Sequence, residues 1–304
     1  MSVSLPARFA SRVRFAEPMS RHTSWHVGGP AQMYFEPADR AELADFLAHL
    51  PRTVPVYWVG LGSNLLVRDG GIEGVVISTH GTLDRLERLD TDVLLGEAGV
   101  PCARVARQCV KWGLAAGEFF AGIPGTLGGA LAMNAGAFGG ETWQHVLEVD
   151  TIDREGRLHT RPANAYRVGY RHVEPPVPQE WFVAARLRFR VCDPAAGVTG
   201  AAEAPIRLLL ERRRATQPIG EWSCGSVFTN PPGDHAARLI EAAGLKGLTL
   251  GGAVVSSKHA NFILNEGTAS AADIERLILR VQEEVYRMHG VRLHTEVRIV
   301  GREA

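Results

Sequence analysis

An excess of charge of either sign is the first thing missing from this sequence. Lysine plus arginine total 33 and aspartate plus glutamate total 33. A balanced chain carries no electrostatic footprint for nucleic acid or an anionic membrane, and neither partner is expected. Nowhere do roughly 18 apolar residues follow one another, so no spanning helix is expected. Cysteine is scarce: Cys102, Cys109, Cys192 and Cys224 form no CxxC pair. With no His/Cys cluster at zinc spacing, no metal is expected either. Such scattered cysteines read as buried free thiols in a reducing compartment. The stretch MSVSLPARFASRVRFAEP breaks every apolar patch with arginine. It offers no signal-peptide core, and a cytoplasmic location is expected. Also absent are a P-loop lysine and a GxGxxG fingerprint with an acidic residue about 20 positions on.

What is present suits a soluble globular protein, with 45% hydrophobic and 22% charged residues in a chain of 304. That length implies two or three packed subdomains, burying about 70% of the unfolded surface without a metal or disulfide staple. Helical periodicity marks residues 39–50, with Asp39 as N-cap, and then 100–114, 206–214, 234–244 and, most strongly, 272–290. Strands are expected at 54–60, 75–78, 93–99 and 181–191, with a hairpin over 146–160 turning at Arg154-Glu155-Gly156. The segment HTSWHVGGPAQMYFEP suggests strands or loops around the turn Gly28-Gly29-Pro30. RLHTEVRIVG, at 292–301, reads as a final strand, and DPAAGVTGAAEA, at 193–204, as a flexible linker. The class is α+β.

Residues 121–140 read AGIPGTLGGALAMNAGAFGG, with seven glycines and no charge. Glycine is costly to fix, so such a density needs a reason. One reason is tight turning and close packing of helix on sheet. Another is a dinucleotide pyrophosphate cradled by bare peptide N–H groups, which bind anions without any formal charge. Gly60-Leu61-Gly62-Ser63-Asn64-Leu65, straight after a strand, offers the same two readings.

VGLGSNLLVRDGGIEGVVI (59–77) and AGIPGTLGGALAMNAGAFGGE (121–141) resemble the flavin-binding segments of the UDP-N-acetylenolpyruvoylglucosamine reductase family. HTSWHVGGPA (22–31) is similar to that family's amino-terminal signature. GSVFTNPPGDHAARLIEAAGLKG (225–247), SSKHANFILNEGTASAADI (256–274) and HTEVRIVG (294–301) resemble its substrate domain and carboxyl end. The resemblance implies an FAD-binding fold of the vanillyl-alcohol-oxidase-like type over 1–200, in two subdomains of about 1–78 and 79–200. It implies a smaller α/β substrate domain over 201–295 and a terminal strand at 296–304. FAD would be held by Gly60, Gly62, Ser63, Asn64, Leu65, Gly122, Ile123, Pro124, Gly125, Thr126, Gly128, Gly129, Asn134 and Gly136. The loop 60–66 has neither histidine nor cysteine, so FAD is expected to be dissociable.

The implied reaction adds hydride and then a proton to an enolpyruvyl ether, UDP-N-acetylglucosamine enolpyruvate, with NADPH as co-substrate in the same cleft and ping-pong kinetics. The resemblance places a proton-donating serine at Ser226. It places a carboxylate-binding arginine at Arg171, within YRVGYRHVE, although Tyr166-Arg167 is a second candidate pair. Val173 and Gly169 stand where the family motif would put serine. A polarising carboxylate falls on Glu296. Substrate contacts fall on Arg214, Asn230, His259, Asn261 and Arg298, with Thr229 replacing an expected lysine. About 35 residues separate Arg171 from the basic helix, too few for the extra substrate-covering insertion of some members. No obligate protein partner is evident. Rival readings are a flavin oxidase of the same fold acting on a sugar or alcohol, and a non-catalytic nucleotide-binding protein.

Overall fold

The computed structural model describes residues 5–193 and 203–304. Most of the expected linker, 194–202, lies outside the described residues, and residues 203 and 204 already belong to a helix. The helices are α1 (Arg40–His49), α2 (Cys102–Lys111), α3 (Leu127–Met133), α4 (Glu203–Thr216), α5 (Ala236–Ala242) and α6 (Ala271–His289). None is long and apolar enough to cross a membrane.

The chain divides into two compact units. The first comprises Met1–Arg14, Tyr34–Gly60 and Val76–Arg212; the second comprises Phe15–Met33, Leu61–Val75 and Arg213–Ala304. Composition suggests contiguous domains, whereas these units are interleaved. The segments 15–33 and 61–75 group with the last third of the chain. Three of the five breaks fall inside strands Val13–Pro18, Pro30–Phe35 and Ile72–Ser78, where no change of composition signals them; the others fall between Gly60 and Leu61 and inside α4.

The first unit is built on a five-stranded antiparallel sheet. Its order is Leu158–Pro162, Val146–Ile152, Trp181–Arg188, Val93–Glu97, Leu86–Arg88. The hairpin turn falls where expected, at Gly156 with φ +78. Helix α2 buries Cys102, Val105, Ala106 and Cys109. They share a core with Phe120, Leu127, Leu131, Val149, Ala185 and Leu187. Asp39 caps α1, accepting the Glu42 N–H at 2.8 Å. On α1, Phe46 stacks on Phe35 with centroids 3.8 Å apart, and Phe9 meets it edge-on at 5.3 Å.

In the second unit, α5 and α6 share a core with the sheet Thr249–Leu250, Ala253–Val255, Ile263–Asn265. Helix α6 has a Ser270/Asp273 capping box and ends at Gly290, φ +68. Asp69 adds a second cap, accepting Ala271 N–H at 3.0 Å and Ala272 N–H at 2.9 Å. Its charge lies where the helix dipole favours an anion. Arg68 grips Glu275 through two bonds of 2.8 and 2.7 Å. Leu65–Val67 pairs in parallel with Arg298–Val300. The expected last strand is therefore short. Glu296 N–H turns to the Val227 carbonyl and Arg298 N–H to the Asn64 carbonyl, so 292–297 cannot run as one strand.

Asp150 is the electrostatic hub of the first unit. It takes bonds from Arg186 (3.0 Å), Thr160 (3.0 Å) and Arg40 (3.1 Å). Burial alone would raise its carboxyl pKa, but the bonds from Arg186, Thr160 and Arg40 outweigh that and leave it lowered. A lowered folded pKa gives stability that is present above the unfolded value of about 3.9 and lost as pH falls through the folded one. Asp150→Asn is expected to cost roughly 1–3 kcal/mol in urea denaturation at about pH 7, with the difference from the parent closing towards about pH 3. An equal difference at both pH values would remove the carboxylate from this role.

Candidate active site

In the first unit, the loop 122–129 docks on residues 98–102. Gly125 O accepts from Cys102 N–H at 2.9 Å, while Leu127 and Gly128 N–H reach Val100 and Ala98 carbonyls at 2.8 Å each. Ile123 is buried and Pro124 exposed. Close packing explains several of the glycines. A Cβ on Gly122 would stand 2.4 Å from the Phe138 ring, and one on Gly128 2.9 Å from Ala98 Cβ. On Gly136 it would come within 2.5 Å of the Gly140 carbonyl. Gly60 and Gly129 differ, because both face the hydroxyl of Thr126. A Cβ on Gly60 would lie 2.4 Å from Oγ1, and one on Gly129, otherwise open, 3.9 Å. Thr126 Oγ1 does not bond the N-terminus of α3. Thr126 is itself buried, and exposed Gly129 is the position that leaves the main chain open to close approach, which fits a phosphate-containing cofactor.

Asn134 ends α3 in the left-handed region at φ +46. Its amide donates to Glu141 Oε2 (3.0 Å) and the Gly169 carbonyl (3.1 Å), and its Oδ1 accepts from Trp143 N–H (3.1 Å). The side chain thus ties the glycine loop to the hairpin that carries both candidate arginines. Arg171 sits in that hairpin's turn at φ +53, a strained value for a residue with a Cβ. Its guanidinium reaches the carbonyls of Asn134 at 3.4 Å and Gly136 at 3.1 Å. Arg167 is 86% exposed beside Glu174. Of the two candidates, only Arg171 turns towards the glycine loop.

The second unit gathers the other candidates on one main-chain network. Gly62, at φ +62, packs so that a Cβ would fall 1.9 Å from the His22 carbonyl. Half-buried Ser63 follows it. Asn64 then donates its amide to the Glu296 carbonyl at 3.0 Å, and Leu65 opens the parallel ladder with Arg298. Glu296 N–H reaches Val227 O at 2.8 Å, and Val227 N–H reaches Asn261 O at 2.9 Å. Ser226 is half-buried, and none of the described hydrogen bonds engages its hydroxyl. It does not cap α5; the helix takes that bond from Asn230 Oδ1 to Ala236 N–H, at 3.1 Å.

His259 Nδ1 accepts Asn261 N–H at 3.3 Å, and burial lowers the imidazole pKa. Asn261 is 4% exposed, with its amide bonded to Phe228. Arg298 lies on the exposed side of its short strand; with Glu296 in a bend, the two do not share a strand face. Arg214 is exposed, and its carbonyl takes the Lys258 ammonium. Sequence reasoning missed Arg68 and Asp69, which fasten the flavin-type loop to α6. Cys224, expected as a buried free thiol, is one, and it donates its thiol towards the carbonyls of Gly62 (3.6 Å) and Leu65 (3.5 Å).

Comparison with known proteins agrees with this geometry. Residues 31–161 match an FAD binding domain model, and residues 217–300 match the C-terminal domain of UDP-N-acetylenolpyruvoylglucosamine reductase. The chain is 59% identical over 289 residues to the UDP-N-acetylenolpyruvoylglucosamine reductase of Alkalilimnicola ehrlichii, covering 95% of each protein. It is 56% identical over 285 residues to that of Methylococcus capsulatus, covering 94% of this chain and 92% of the relative. A crystal structure of the Thermus caldophilus enzyme aligns with TM-score 0.79 at 32% identity, over 95% of this chain and 98% of that one. The α+β FAD-binding fold is the one expected.

Burial pushes the Cys109 and Cys224 thiols up to about 12, and raises Cys102 as well. Cys192 is only half-buried. An aromatic disulfide reagent is therefore expected to titrate one thiol promptly in the folded protein and the other three only on denaturation, because a buried, protonated thiol is inert. Cys192→Ser should abolish the prompt phase. Prompt reaction of Cys224 would mean that its contact with the loop 62–65 is open.

Proposed function

The chain belongs to the UDP-N-acetylenolpyruvoylglucosamine reductase family, and on that premise we propose that it reduces UDP-N-acetylglucosamine enolpyruvate to UDP-N-acetylmuramate with electrons from NADPH. The observation that carries this reading is the unbonded Ser226 hydroxyl, joined through Val227 to Glu296 and through Asn64 to the flavin-type loop. An oxidase of the same fold passes electrons to oxygen and needs no proton donor beside its substrate, so this arrangement favours the reductase.

FAD would be held without a covalent link by the Gly60–Leu65 and Gly122–Gly129 segments with Asn134 and Gly136, and would supply the hydride-transfer chemistry that links NADPH to the enolpyruvyl β-carbon. Overall, one hydride and one proton add across the carbon–carbon double bond, and NADPH leaves as NADP+. Negative charge then spreads from the α-carbon into the substrate carboxylate. Arg171 answers that charge: its guanidinium is always ionised and its planar fork suits a carboxylate. Ser226 supplies the proton to the α-carbon. An alcohol is a weak acid, but the enediolate-like species it protonates is a strong base, so the transfer runs downhill. Glu296 is assigned to the same proton through its carboxylate. Asn230, His259, Arg214 and Arg298 are assigned to the sugar nucleotide.

The visible spectrum tests this reading. Protein equilibrated with FAD should show flavin bands that bleach anaerobically with NADPH and return with the enolpyruvyl sugar. Ser226→Ala should leave bleaching intact and slow the return by roughly 10²–10⁴-fold, the usual range for loss of a general acid. A protein that takes up no flavin would overturn the reading of both glycine loops. Bleaching without return would leave the flavin and remove the substrate.

A further inference from the structure

The resemblance assigns Asn261 to the sugar nucleotide, yet its side chain is engaged elsewhere. Its Oδ1 accepts the Phe228 N–H at 2.9 Å, and its Nδ2 donates to the Phe228 carbonyl at 2.8 Å. One amide thereby serves both main-chain groups of Phe228, as a neighbouring strand would. The Asn261 carbonyl also takes the Val227 N–H at 2.9 Å, and Glu296 N–H takes the Val227 carbonyl at 2.8 Å. Every main-chain polar group of Val227 and Phe228 is thus paired, and both residues are buried, at 1% and 2% exposure. Ser226 comes immediately before them. On its other side Gly225 stands at φ +72, with nothing within 4 Å of where a Cβ would be. Beyond that glycine Cys224 is buried, at 4% exposure, so the bonds that bear directly on Ser226 from its nearest ordered neighbours are those of Val227 and Phe228.

We infer that Asn261 is a positioning residue, a clamp that sets where the Ser226 hydroxyl stands, and that it does not hold the substrate. The inference rests on the reading of Ser226 as proton donor. Only an amide can do this work. Aspartate keeps the acceptor but loses the donor, and sets a charged oxygen against the Phe228 carbonyl; alanine leaves both groups of Phe228 buried and unpaired. The neighbouring His259 ring takes the Asn261 N–H on Nδ1 at 3.3 Å, which fixes the clamp's own main chain.

The test uses the full-length, FAD-loaded protein and separates the two halves of the reaction. Bleaching by NADPH involves no proton from Ser226, whereas return of colour with UDP-N-acetylglucosamine enolpyruvate does. In Asn261→Asp and Asn261→Ala, bleaching should stay within about twofold of the parent. The return at saturating sugar should fall by tenfold or more, towards the roughly 10²-fold that a misplaced group costs. The half-saturating sugar concentration should stay within about threefold. Asn261→Ala should add little to Ser226→Ala, because both act on one step.

A second readout needs no cofactor: amide hydrogen exchange should quicken in Asn261→Ala at Val227, Phe228 and Glu296, and not across the unit. A half-saturating concentration raised tenfold or more, with the saturated return unchanged, would make Asn261 a substrate ligand and overturn the clamp. Equal slowing of bleaching and return, or unchanged exchange at Phe228, would overturn it as well. If Ser226→Ala itself returns colour at the parent rate, the reading of Ser226 fails, and the exchange measurement still reports on the clamp.

Discussion

The parallel pairing of Leu65–Val67 with Arg298–Val300 is the constraint on which the second unit depends. Its two strands come from distant parts of the chain, and each leads out of a candidate segment. Ser63 and Asn64 precede the first strand, and Glu296 precedes the second. Once the ladder is in register, the Asn64 amide meets the Glu296 carbonyl, and Glu296 N–H meets Val227. A slip of one residue would turn alternate side chains to the other face and break these bonds. Arg68 on Glu275 and Asp69 at the start of α6 hold the end of the ladder against such a slip.

Each unit relies on a buried asparagine at its critical bend. Asn134 joins α3 to Glu141, Trp143 and Gly169 in the first unit, and Asn261 joins Phe228 in the second. An amide offers both donors and an acceptor and stays neutral at every pH, so its burial avoids the penalty of a buried charge. The charges are handled differently. Although the chain balances overall, its acids and bases are matched locally, in Asp150 with Arg186 and Arg40, Glu180 with Arg161, and Glu275 with Arg68. The sequence total of zero conceals this arrangement.

Local features were legible in the sequence and tertiary ones were not. The Asp39 cap, the Gly156 turn, the apolar stripe of α2 and both ends of α6 arise from residues within a few positions of one another, and each stands where spacing puts it. The last strand is shorter than its alternation suggests, because Glu296 and Arg298 bond to segments that periodicity cannot see. The units interleave for the same reason: three of their five breaks lie inside strands. The glycines divided in a way that composition could not foretell. Gly62 and Gly128 yield to a carbonyl and a methyl of their own chain, while Gly60 and Gly129 edge the Thr126 hydroxyl. Motif resemblance is what singles out Ser226 and Arg171 as candidates. The partners that hold them, Asn261 and Asn134, carry no local sign of that task.

On the proposed reading of Ser226 as proton donor, the choice of a serine explains why its neighbours are so firmly held. A group whose acidity is poor at neutral pH contributes through placement, since the proton must be at the α-carbon when charge arrives there. A flexible serine would spend most of its time elsewhere, and a hydroxyl bonded to the main chain would have to break that bond first. Residues 225–228 avoid both faults. Val227 and Phe228 are buried with all their polar groups paired, which fixes the Cα of Ser226. Gly225 at φ +72 has nothing within 4 Å of where a Cβ would be, and none of the described hydrogen bonds engages the serine hydroxyl. Rigidity is thus placed one residue away from the reacting atom, where it positions the donor without competing for its proton.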